Sequence, residues 1–330
     1  MKITPEMLSS ENPIPQEVEF KDAFIERYKE LLGDDFDEFL KYSLTYARKA
    51  IRVNTLKISV ADLKKKLEND FELTPVPWCK EGFWIKYKHG DRFDIGNLPE
   101  HQLGYFYVQD PASMIPAVVL DPQPGDLVLD MCAAPGSKTT QMAAMMQNEG
   151  VIIANDVAAA RLKPLGLNLQ RCGIANTIVT LRSNTRLQPV FDRVLVDAPC
   201  SATGTIRKSL KCLQMWSPGT VKKICGEQRG ILRQAWQALK PGGTMVYSTC
   251  THEPEENEGM VSWFLEKHPD ARVEKIDLDI QRSAVITDFQ GQDYDQGVHG
   301  ALRIYPQNND SEGFFVAKLS KSECQLQKVP

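Results

Sequence analysis

The sequence lacks the patterns by which structural metal sites are recognised. Its 330 residues contain five histidines and eight cysteines, and no two of the cysteines form a C-x-x-C pair. Structural zinc sites normally combine such pairs with regularly spaced histidines or further cysteines. We therefore expect no metal. Because disulfides are rare in cytosolic proteins, we also expect free thiols, most of them buried.

Long hydrophobic runs are also absent. No apolar stretch approaches the ~18 residues that a transmembrane helix requires, and the polar segment 1–16 has no apolar core of the kind found in secretory signals. With 42% hydrophobic and 25% charged residues, the composition is typical of a globular protein that can bury a substantial core. We expect a cytoplasmic monomer with no membrane partner.

Positive charge is not in excess, because the net charge is −4. This balance argues against a generally basic nucleic-acid-binding protein. One segment is an exception: from Thr203 to Arg229, six basic residues accompany a single acid, Glu227. Such a segment could contact nucleic-acid phosphates, although a solvated loop and helix face explains the charge equally well.

The chain divides into two parts with different patterns, of which the first covers residues 1–108. Hydrophobic periodicity there predicts helices over 36–46 and 59–71, a strand over 51–58, and one or two short strands over 81–93. These elements suggest a small α+β module without recognisable chemistry of its own.

Residues 109–330 alternate between strand and helix patterns. The predicted strands are 126–131, 151–156, 177–181, 191–197, 244–249 and a late strand over 313–319. The predicted helices are 137–147, 158–172, 221–239 and 254–268. Such an alternation implies an α/β fold with a largely parallel sheet covered by helices on both faces.

A turn of small residues follows the first of these strands. It consists of Ala133, Ala134, Pro135, Gly136, Ser137, Lys138 and Thr139. Backbone N–H groups at such a strand-to-helix turn favour an anionic ligand group. The turn is not a P-loop, because serine rather than glycine precedes Lys138, and it does not contain G-x-G-x-x-G. The remaining interpretation is S-adenosylmethionine, whose amino-acid end needs backbone contacts.

An acidic residue ends the second strand, as a ribose-binding site would require. Asp156 lies 20 residues after Gly136, and in nucleoside-binding folds an acid in this place accepts a hydrogen bond from a ribose hydroxyl. A strand-end aspartate that caps the helix from Ala158 is an equally good explanation of Asp156 alone. Together with Asp130 and Gly136, however, Asp156 favours a nucleoside cofactor.

Two cysteines carry the reactive chemistry of the sequence. Cys200, in Asp-Ala-Pro-Cys, and Cys250, in Tyr-Ser-Thr-Cys, each follow an apolar strand. Ligands of open α/β sheets bind at the carboxyl ends of the strands, so a thiol pair there suggests covalent chemistry on a substrate. The residues alone leave open which thiol attacks.

At these residues the chain resembles the Nol/Nop/Sun family of S-adenosylmethionine-dependent RNA cytosine-5 methyltransferases, and most closely its short archaeal-type members. The matching stretches begin at Arg52, Val108, Asp130, Phe191, Met215, Leu239, Glu253 and Arg303. The resemblance extends over about residues 51–319.

The resemblance implies a Rossmann-like methyltransferase fold behind an RNA-recognition-like N-terminal module. It assigns Cys250 as the nucleophile, Cys200 to product release, and Asp197 to the N3/N4 edge of the cytosine. It also implies cofactor contacts at Ala133, Ala134, Pro135, Gly136, Ser137, Lys138, Asp156, Arg161, Asn184 and Asp197, with Lys138 near the catalytic site as well. Asn184 stands where relatives carry aspartate, which weakens that one contact.

By the same resemblance the substrate is RNA, with tRNA favoured over rRNA. A catalytically idle scaffold that binds S-adenosylmethionine and RNA is the alternative from another functional class. DNA cytosine-5 methyltransferases use a Pro-Cys like Pro199-Cys200 as the nucleophile, so the residues alone do not exclude Cys200. The stretch from Arg207 to Lys211 is the candidate for holding phosphates beside the target base.

Overall fold

A computed structural model of the protein describes residues 2–3, 17–90, 94–183 and 188–323. Within these ranges, none of the helices combines the length and the apolar character needed to span a bilayer. The first elements are a two-stranded pair and two helices. They are β1 (Lys2–Ile3), β2 (Val18–Glu19), α1 (Asp22–Leu32) and α2 (Phe36–Ser43).

A four-stranded antiparallel sheet follows these helices. Its elements are β3 (Ala50–Val53), α3 (Val60–Leu67), β4 (Phe71–Val76), β5 (Cys79–Tyr87), the short helix α4 (Pro99–Gln102) and β6 (Phe106–Val108), and the strand order is β4-β5-β3-β6. The predicted helix over 59–71 ends early, since the chain turns into β4 at Phe71. The side chain of Ser59 caps α3 by accepting from Asp62 N at 3.1 Å.

The two N-terminal helices pack against the second part of the chain rather than against this sheet. Phe24 of α1 makes an edge contact with Trp216, at 5.1 Å between ring centroids. Phe39 of α2 makes a similar contact with His252, at 5.2 Å. These aromatic rings belong to the large hydrophobic core of the second part, whereas the strands and α3 bury a smaller core of their own.

The second part is a Rossmann-like α/β sheet, which confirms the predicted fold class. Its helices are α5 (Pro111–Leu120), α6 (Ser137–Met145), α7 (Ala159–Cys172), α8 (Lys211–Met215), α9 (Pro218–Ala238), α10 (Glu258–Lys267) and α11 (Pro306–Asn309). Its strands are β7 (Leu127–Asp130), β8 (Val151–Asp156), β9 (Thr177–Leu181), β10 (Phe191–Asp197), β11 (Leu239–Thr249), β12 (Ala271–Glu274), β15 (Leu302–Ile304) and β16 (Phe314–Lys321), beside the small pair β13 (Asp288–Phe289) and β14 (Gln292–Asp293).

The strand order predicts a ligand crevice between β7 and β10. The order is β12-β16-β11-β10-β7-β8-β9, and the strands from β11 to β9 are parallel. After β7 the chain continues outward to β8 and β9, and it then returns to the other side of β7 to form β10. Ligands bind beyond the carboxyl ends of the strands at such a reversal, which is where the small-residue turn and the two cysteines lie.

A buried arginine joins the two parts of the chain. Arg52 of β3 donates to the Ser137 carbonyl at 2.8 Å and to Thr140 Oγ1 at 2.9 Å, both on α6. Arg52 also contacts the side-chain oxygens of Gln109 and Gln141. The first turn of α6 therefore depends on a side chain from the N-terminal sheet for part of its support.

Candidate active site

The two cysteines lie side by side at the ends of neighbouring strands. Parallel pairing sets Asp197 of β10 opposite Ser248 of β11. Cys200 follows three residues after Asp197, and Cys250 follows two residues after Ser248. The sulfur atoms of Cys200 and Cys250 are 3.3 Å apart, and both side chains are partly exposed. The structure thus brings together the two thiols that the sequence singled out.

Hydroxyl groups join the two cysteine-bearing loops. Thr251 Oγ1 lies 2.7 Å from Ser201 Oγ and 2.9 Å from Thr203 Oγ1. Gly204 N donates to the Cys250 carbonyl at 2.9 Å. A side chain at Gly204 would collide with that carbonyl, because an added Cβ would stand 2.8 Å from it. These contacts fix the two sulfur atoms relative to each other.

A lysine–aspartate pair lies next to the thiols. Lys138 Nζ is 2.8 Å from Asp197 Oδ2 and donates to Ser113 Oγ at 3.0 Å. Ser248 Oγ donates to the second Asp197 oxygen at 2.8 Å. Ser113 and Ser248 were not singled out from the sequence, although both lie within stretches that carry the family resemblance.

The surroundings of the Cys200 thiol raise its pKa. The hydrogen bond with Cys250, followed by burial, raises the pKa of the Cys200 thiol well above its usual range. A hydrogen bond raises the pKa of the group that donates it, because it stabilises the protonated form. Cys200 therefore keeps its proton near neutral pH, and its sulfur lies within hydrogen-bond distance of Cys250.

The small-residue turn closes over the start of α6. Gly136 has a φ of +101°, and an added Cβ would lie 2.9 Å from Leu165 Cδ1. Ala134 N donates to Asp156 Oδ2 at 3.3 Å, while Ala158 N donates to Asp156 Oδ1 at 3.0 Å. The carboxylate therefore supports the turn and the residue before α7 at once, whereas its contact with a ribose hydroxyl stays a prediction.

A small open cavity of about 90 Å³ adjoins the turn. It is lined by Met131, Cys132, Asn155, Asp156, Val157, Arg161, Arg182, Ser183, Pro199, Ile231 and Gln234. An acid at one end and apolar walls are features of a nucleoside-binding site. Of these lining residues, only Asp156 and Arg161 are among the predicted cofactor contacts. The two residues of α9 could not be predicted, because helical periodicity does not show which turn of α9 faces the sheet end. Asn184 lies outside the described residues.

Arg161 holds the acid of this cavity in place. Its guanidinium lies 3.4 Å from Asp156 Oδ2 and donates to the Ala134 carbonyl at 2.5 Å. Cys132, at the edge of the cavity, has a thiol pKa raised by burial beyond any useful ionisation. Cys132 is therefore a packing residue, as is Cys172 in α7, which is also buried.

Arg207, expected to contact phosphates, is instead a structural residue. Its side chain is buried and donates to Asp310 Oδ1 at 2.6 Å, to the Tyr46 carbonyl at 3.1 Å and to the Ser311 carbonyl at 3.2 Å. The prediction for Arg207 was wrong because charge patterning does not show which cations are already paired. Lys208 next to it remains exposed and pairs with Glu312 at 3.4 Å.

Two acidic residues that follow Cys250 form buried contacts with distant parts of the chain. Glu253 is buried and accepts from Arg27, Tyr28 and the indole of Trp216. Glu258, the first residue of α10, forms a buried ion pair with Arg303.

Within the part of the chain that the structure describes, no cluster of three or more histidine, cysteine or acidic side chains is arranged to hold a metal ion.

Two family models match the chain. Residues 20–111 match the N-terminal domain of 16S rRNA methyltransferase RsmF, and residues 117–320 match 16S rRNA methyltransferase RsmB/F. A tRNA (cytosine(49)-C(5))-methyltransferase of Pyrococcus abyssi is 46% identical over 303 residues, covering 90% of this chain and 95% of the relative. The ribosomal RNA small subunit methyltransferase F of Erwinia tasmaniensis is 44% identical over 313 residues, but the match covers 63% of that longer protein.

Solved structures agree with this match. A methyltransferase homolog from Pyrococcus horikoshii aligns with a TM-score of 0.81 and 37% identity, covering 92% of this chain and 95% of the other. NSun6 from Pyrococcus horikoshii, solved with SFG, aligns with a TM-score of 0.80 and 25% identity, covering 92% and 99%. Both alignments extend across the two parts of the chain.

Proposed function

This chain belongs to the RsmB/F (Nol/Nop/Sun) family of S-adenosylmethionine-dependent RNA cytosine-5 methyltransferases, and from that premise we propose that it methylates its cytosine through a transient bond between Cys250 and C6 of the base. The 3.3 Å contact between the two sulfur atoms carries this proposal. An idle scaffold would not need two thiols held together beside an ordered lysine–aspartate pair.

Cytosine C5 is a poor nucleophile until C6 is saturated. Addition of the Cys250 thiolate at C6 makes C5 an enamine carbon that can attack an electrophile. Bound S-adenosylmethionine supplies that electrophile as a methyl group on sulfonium. Transfer of the C5 proton to solvent then allows β-elimination, which breaks the bond between Cys250 and C6 and returns Cys250 as a thiolate. We assign Cys200 to this release step, because its protonated thiol adjoins Cys250 and can donate a hydrogen bond to the departing thiolate.

Asp197 and Lys138 are proposed to recognise the polar edge of the base. The Asp197 carboxylate can accept from the exocyclic amino group of cytosine, a donor that uracil lacks. Addition at C6 places negative charge on the N3 side of the ring, and the Lys138 ammonium, 2.8 Å from Asp197, can offset it. Ser113 and Ser248 hold the pair in place.

The cofactor is proposed to bind in the cavity beside the small-residue turn. Residues 133–138 present the start of α6 to its anionic end, and Asp156 accepts from the ribose. Arg161 positions Asp156, and Asn184 is assigned to the adenine edge by resemblance alone. Asp197 and Lys138 border the end of the site where the base would enter.

Gly136→Ala should weaken the cofactor site strongly. A non-glycine residue at φ +101° is strained, and its Cβ would meet Leu165 at 2.9 Å, so the turn must move. We expect at least a roughly tenfold higher dissociation constant for S-adenosylmethionine, corresponding to about 1.4 kcal/mol. Isothermal titration calorimetry would measure it. Gly125→Ala, at another positive φ but in open space, is the control, and equal affinities in the two variants would contradict the prediction.

We propose tRNA as the substrate, ahead of rRNA. The Pyrococcus abyssi tRNA methyltransferase is matched over 95% of its length, whereas the Erwinia tasmaniensis rRNA methyltransferase is matched over 63%. We also propose that the two parts of the chain are separate functional domains that meet between residues 108 and 109, and that residues 1–108 contact RNA. Purified protein should be incubated with S-adenosylmethionine and either unmodified tRNA or 16S rRNA, followed by bisulfite sequencing. Methylation of rRNA alone would reject the tRNA assignment, and methylation of neither would reject catalysis.

Lys208→Ala should weaken RNA binding. The Lys208 side chain is exposed and forms an ion pair at 3.4 Å with Glu312, whose side chain is buried. Loss of one phosphate contact should raise the KM for RNA by a few fold and reduce the slope of log affinity against log salt by about 0.7–0.9. Filter binding at several salt concentrations would measure it. Lys267→Ala, at another exposed lysine that pairs with an acid, is the control; identical slopes for the two variants would remove Lys208 from the interface.

A further inference from the structure

A buried carboxylate lies behind the Cys200 loop and takes no part in the chemistry proposed above. Glu256 is fully buried and comes six residues after Cys250, in the short 3-10 turn Pro254–Glu256. Ser201 N donates to both of its oxygens, at 3.1 Å to Oε2 and 3.3 Å to Oε1. The turn that follows one cysteine therefore holds the peptide group that follows the other.

Gln228 of α9 completes this arrangement from the opposite side. Its Nε2 donates to Glu256 Oε2 at 2.8 Å and to the Pro199 carbonyl at 3.0 Å. The Pro199 carbonyl and the Ser201 N–H belong to the two peptide groups that flank Cys200. Glu256 and Gln228 together therefore restrain the Cys200 backbone on both sides, and a restrained backbone fixes the direction of the thiol.

The charge of Glu256 acts on the same cysteine. The titratable groups that face it are Glu253 from its own turn, Tyr247 from β11, Cys225 from α9 and Cys200, and none of these four is a cation. Burial raises the pKa of Glu256 to about 7. When ionised, its carboxylate adds to the causes that raise the pKa of the Cys200 thiol.

We infer that Glu256 is a positioning residue that aims the Cys200 thiol at Cys250 and sets a carboxylate charge behind it, so that Cys250 alone attacks the base and Cys200 acts in product release. This inference rests on the proposed function. It deepens that function by naming the residue that gives the two adjacent thiols different roles. It predicts separate effects of the position and of the charge of the carboxylate.

Two variants separate these effects. Glu256→Gln keeps the length of the side chain and an acceptor for Ser201 N but removes the charge, while Glu256→Asp keeps the charge and withdraws it from Ser201. Glu255→Gln is the matched control, because Glu255 lies in the same turn but pairs with Arg27. Circular dichroism and thermal unfolding establish that each variant is folded.

The first measurement is alkylation of Cys200 by iodoacetamide between pH 6 and 10, at low extents of modification and without RNA, with the modified peptide quantified by mass spectrometry. Thiolate is the reacting form. In Glu256→Gln we expect Cys200 to react about fivefold faster than in the parent at pH 8, because its pKa is lower. Glu256→Asp and Glu255→Gln should follow the parent profile. A role in packing alone would not shift this profile.

The second measurement is a single turnover with RNA, in which methyl transfer and the lifetime of the protein–RNA adduct are followed separately. We expect the adduct to persist about tenfold longer in both Glu256 variants, with a smaller loss in the rate of methyl transfer. If both variants matched Glu255→Gln in alkylation and in adduct lifetime, the inference would be overturned.

If Glu256→Gln did not fold, the adduct lifetime in Glu256→Asp would decide, and a parent-like lifetime there would overturn the inference. Failure of the proposed function is a different result: the parent protein would then form no adduct at all, while the alkylation profiles, measured without RNA, would still compare the variants.

Discussion

Cys250→Ala should abolish both methyl transfer and the covalent protein–RNA adduct, whereas Cys200→Ala should let the adduct accumulate. Removal of an attacking nucleophile typically costs about 10⁴-fold or more in kcat. Cys200 lies 3.3 Å from Cys250 and keeps its proton near neutral pH, so its loss leaves the attacking sulfur in place and removes the hydrogen-bond donor for the departing thiolate. Denaturing gels of protein mixed with labelled RNA and S-adenosylmethionine would show the adduct directly.

Cys225→Ala provides the control for this pair. Cys225 is a buried thiol of α9 whose pKa burial raises to about 12, and it lies outside the catalytic loops. We expect parent-like methylation and no persistent adduct. The opposite pattern, with adduct trapped in Cys250→Ala and lost in Cys200→Ala, would assign the attack to Cys200, as in DNA cytosine-5 methyltransferases.

Arg303→Met should lower the free energy of unfolding by about 3–5 kcal/mol, since it leaves the Glu258 carboxylate buried and unpaired. Arg303 Nε and Nη2 donate to the two Glu258 oxygens at 2.7 and 2.5 Å, and Nη1 donates to the His252 carbonyl at 2.9 Å. Neither side chain reaches solvent. The pair therefore connects β15 to α10 and to the loop that carries Cys250. Urea denaturation followed by circular dichroism would measure the loss.

Lys318→Met is the matched control. Lys318 pairs with Glu274 at 2.9 Å between neighbouring strands, but both side chains are partly exposed, so we expect a loss of no more than about 1 kcal/mol. The double variant Arg303→Met, Glu258→Leu should recover part of the stability, because no charge is then left buried. Equal losses in Arg303→Met and Lys318→Met would mean that the buried pair is not tightly coupled.

The sequence predicts the catalytic sheet well, because its strands are short apolar runs that end in polar residues with chemical functions. The strands that end at Asp130, Asp156 and Asp197 lie within one residue of their predicted bounds. Parallel strands bring their carboxyl ends to one edge of a sheet. The proximity of Cys200, Cys250 and the small-residue turn could therefore be predicted before any coordinates were known.

Elements without periodicity could not be predicted in this way. Helix α5 is apolar on nearly every side, so its pattern has no polar face to reveal a helix. The pairing of Arg207 with Asp310 and of Glu253 with Arg27 joins residues more than one hundred positions apart. Local sequence does not contain that information, and the burial of Arg207 and Glu253 could therefore not be predicted.

The contact between Arg52 and the start of α6 has a consequence for chimeric proteins. An N-terminal part taken from a relative would need to bring an arginine to the same place, facing Ser137 and Thr140. Without it, those acceptors at the start of α6 would lose their donor. A graft of this part should therefore keep its fold only when the transplanted segment supplies an arginine in the place of Arg52.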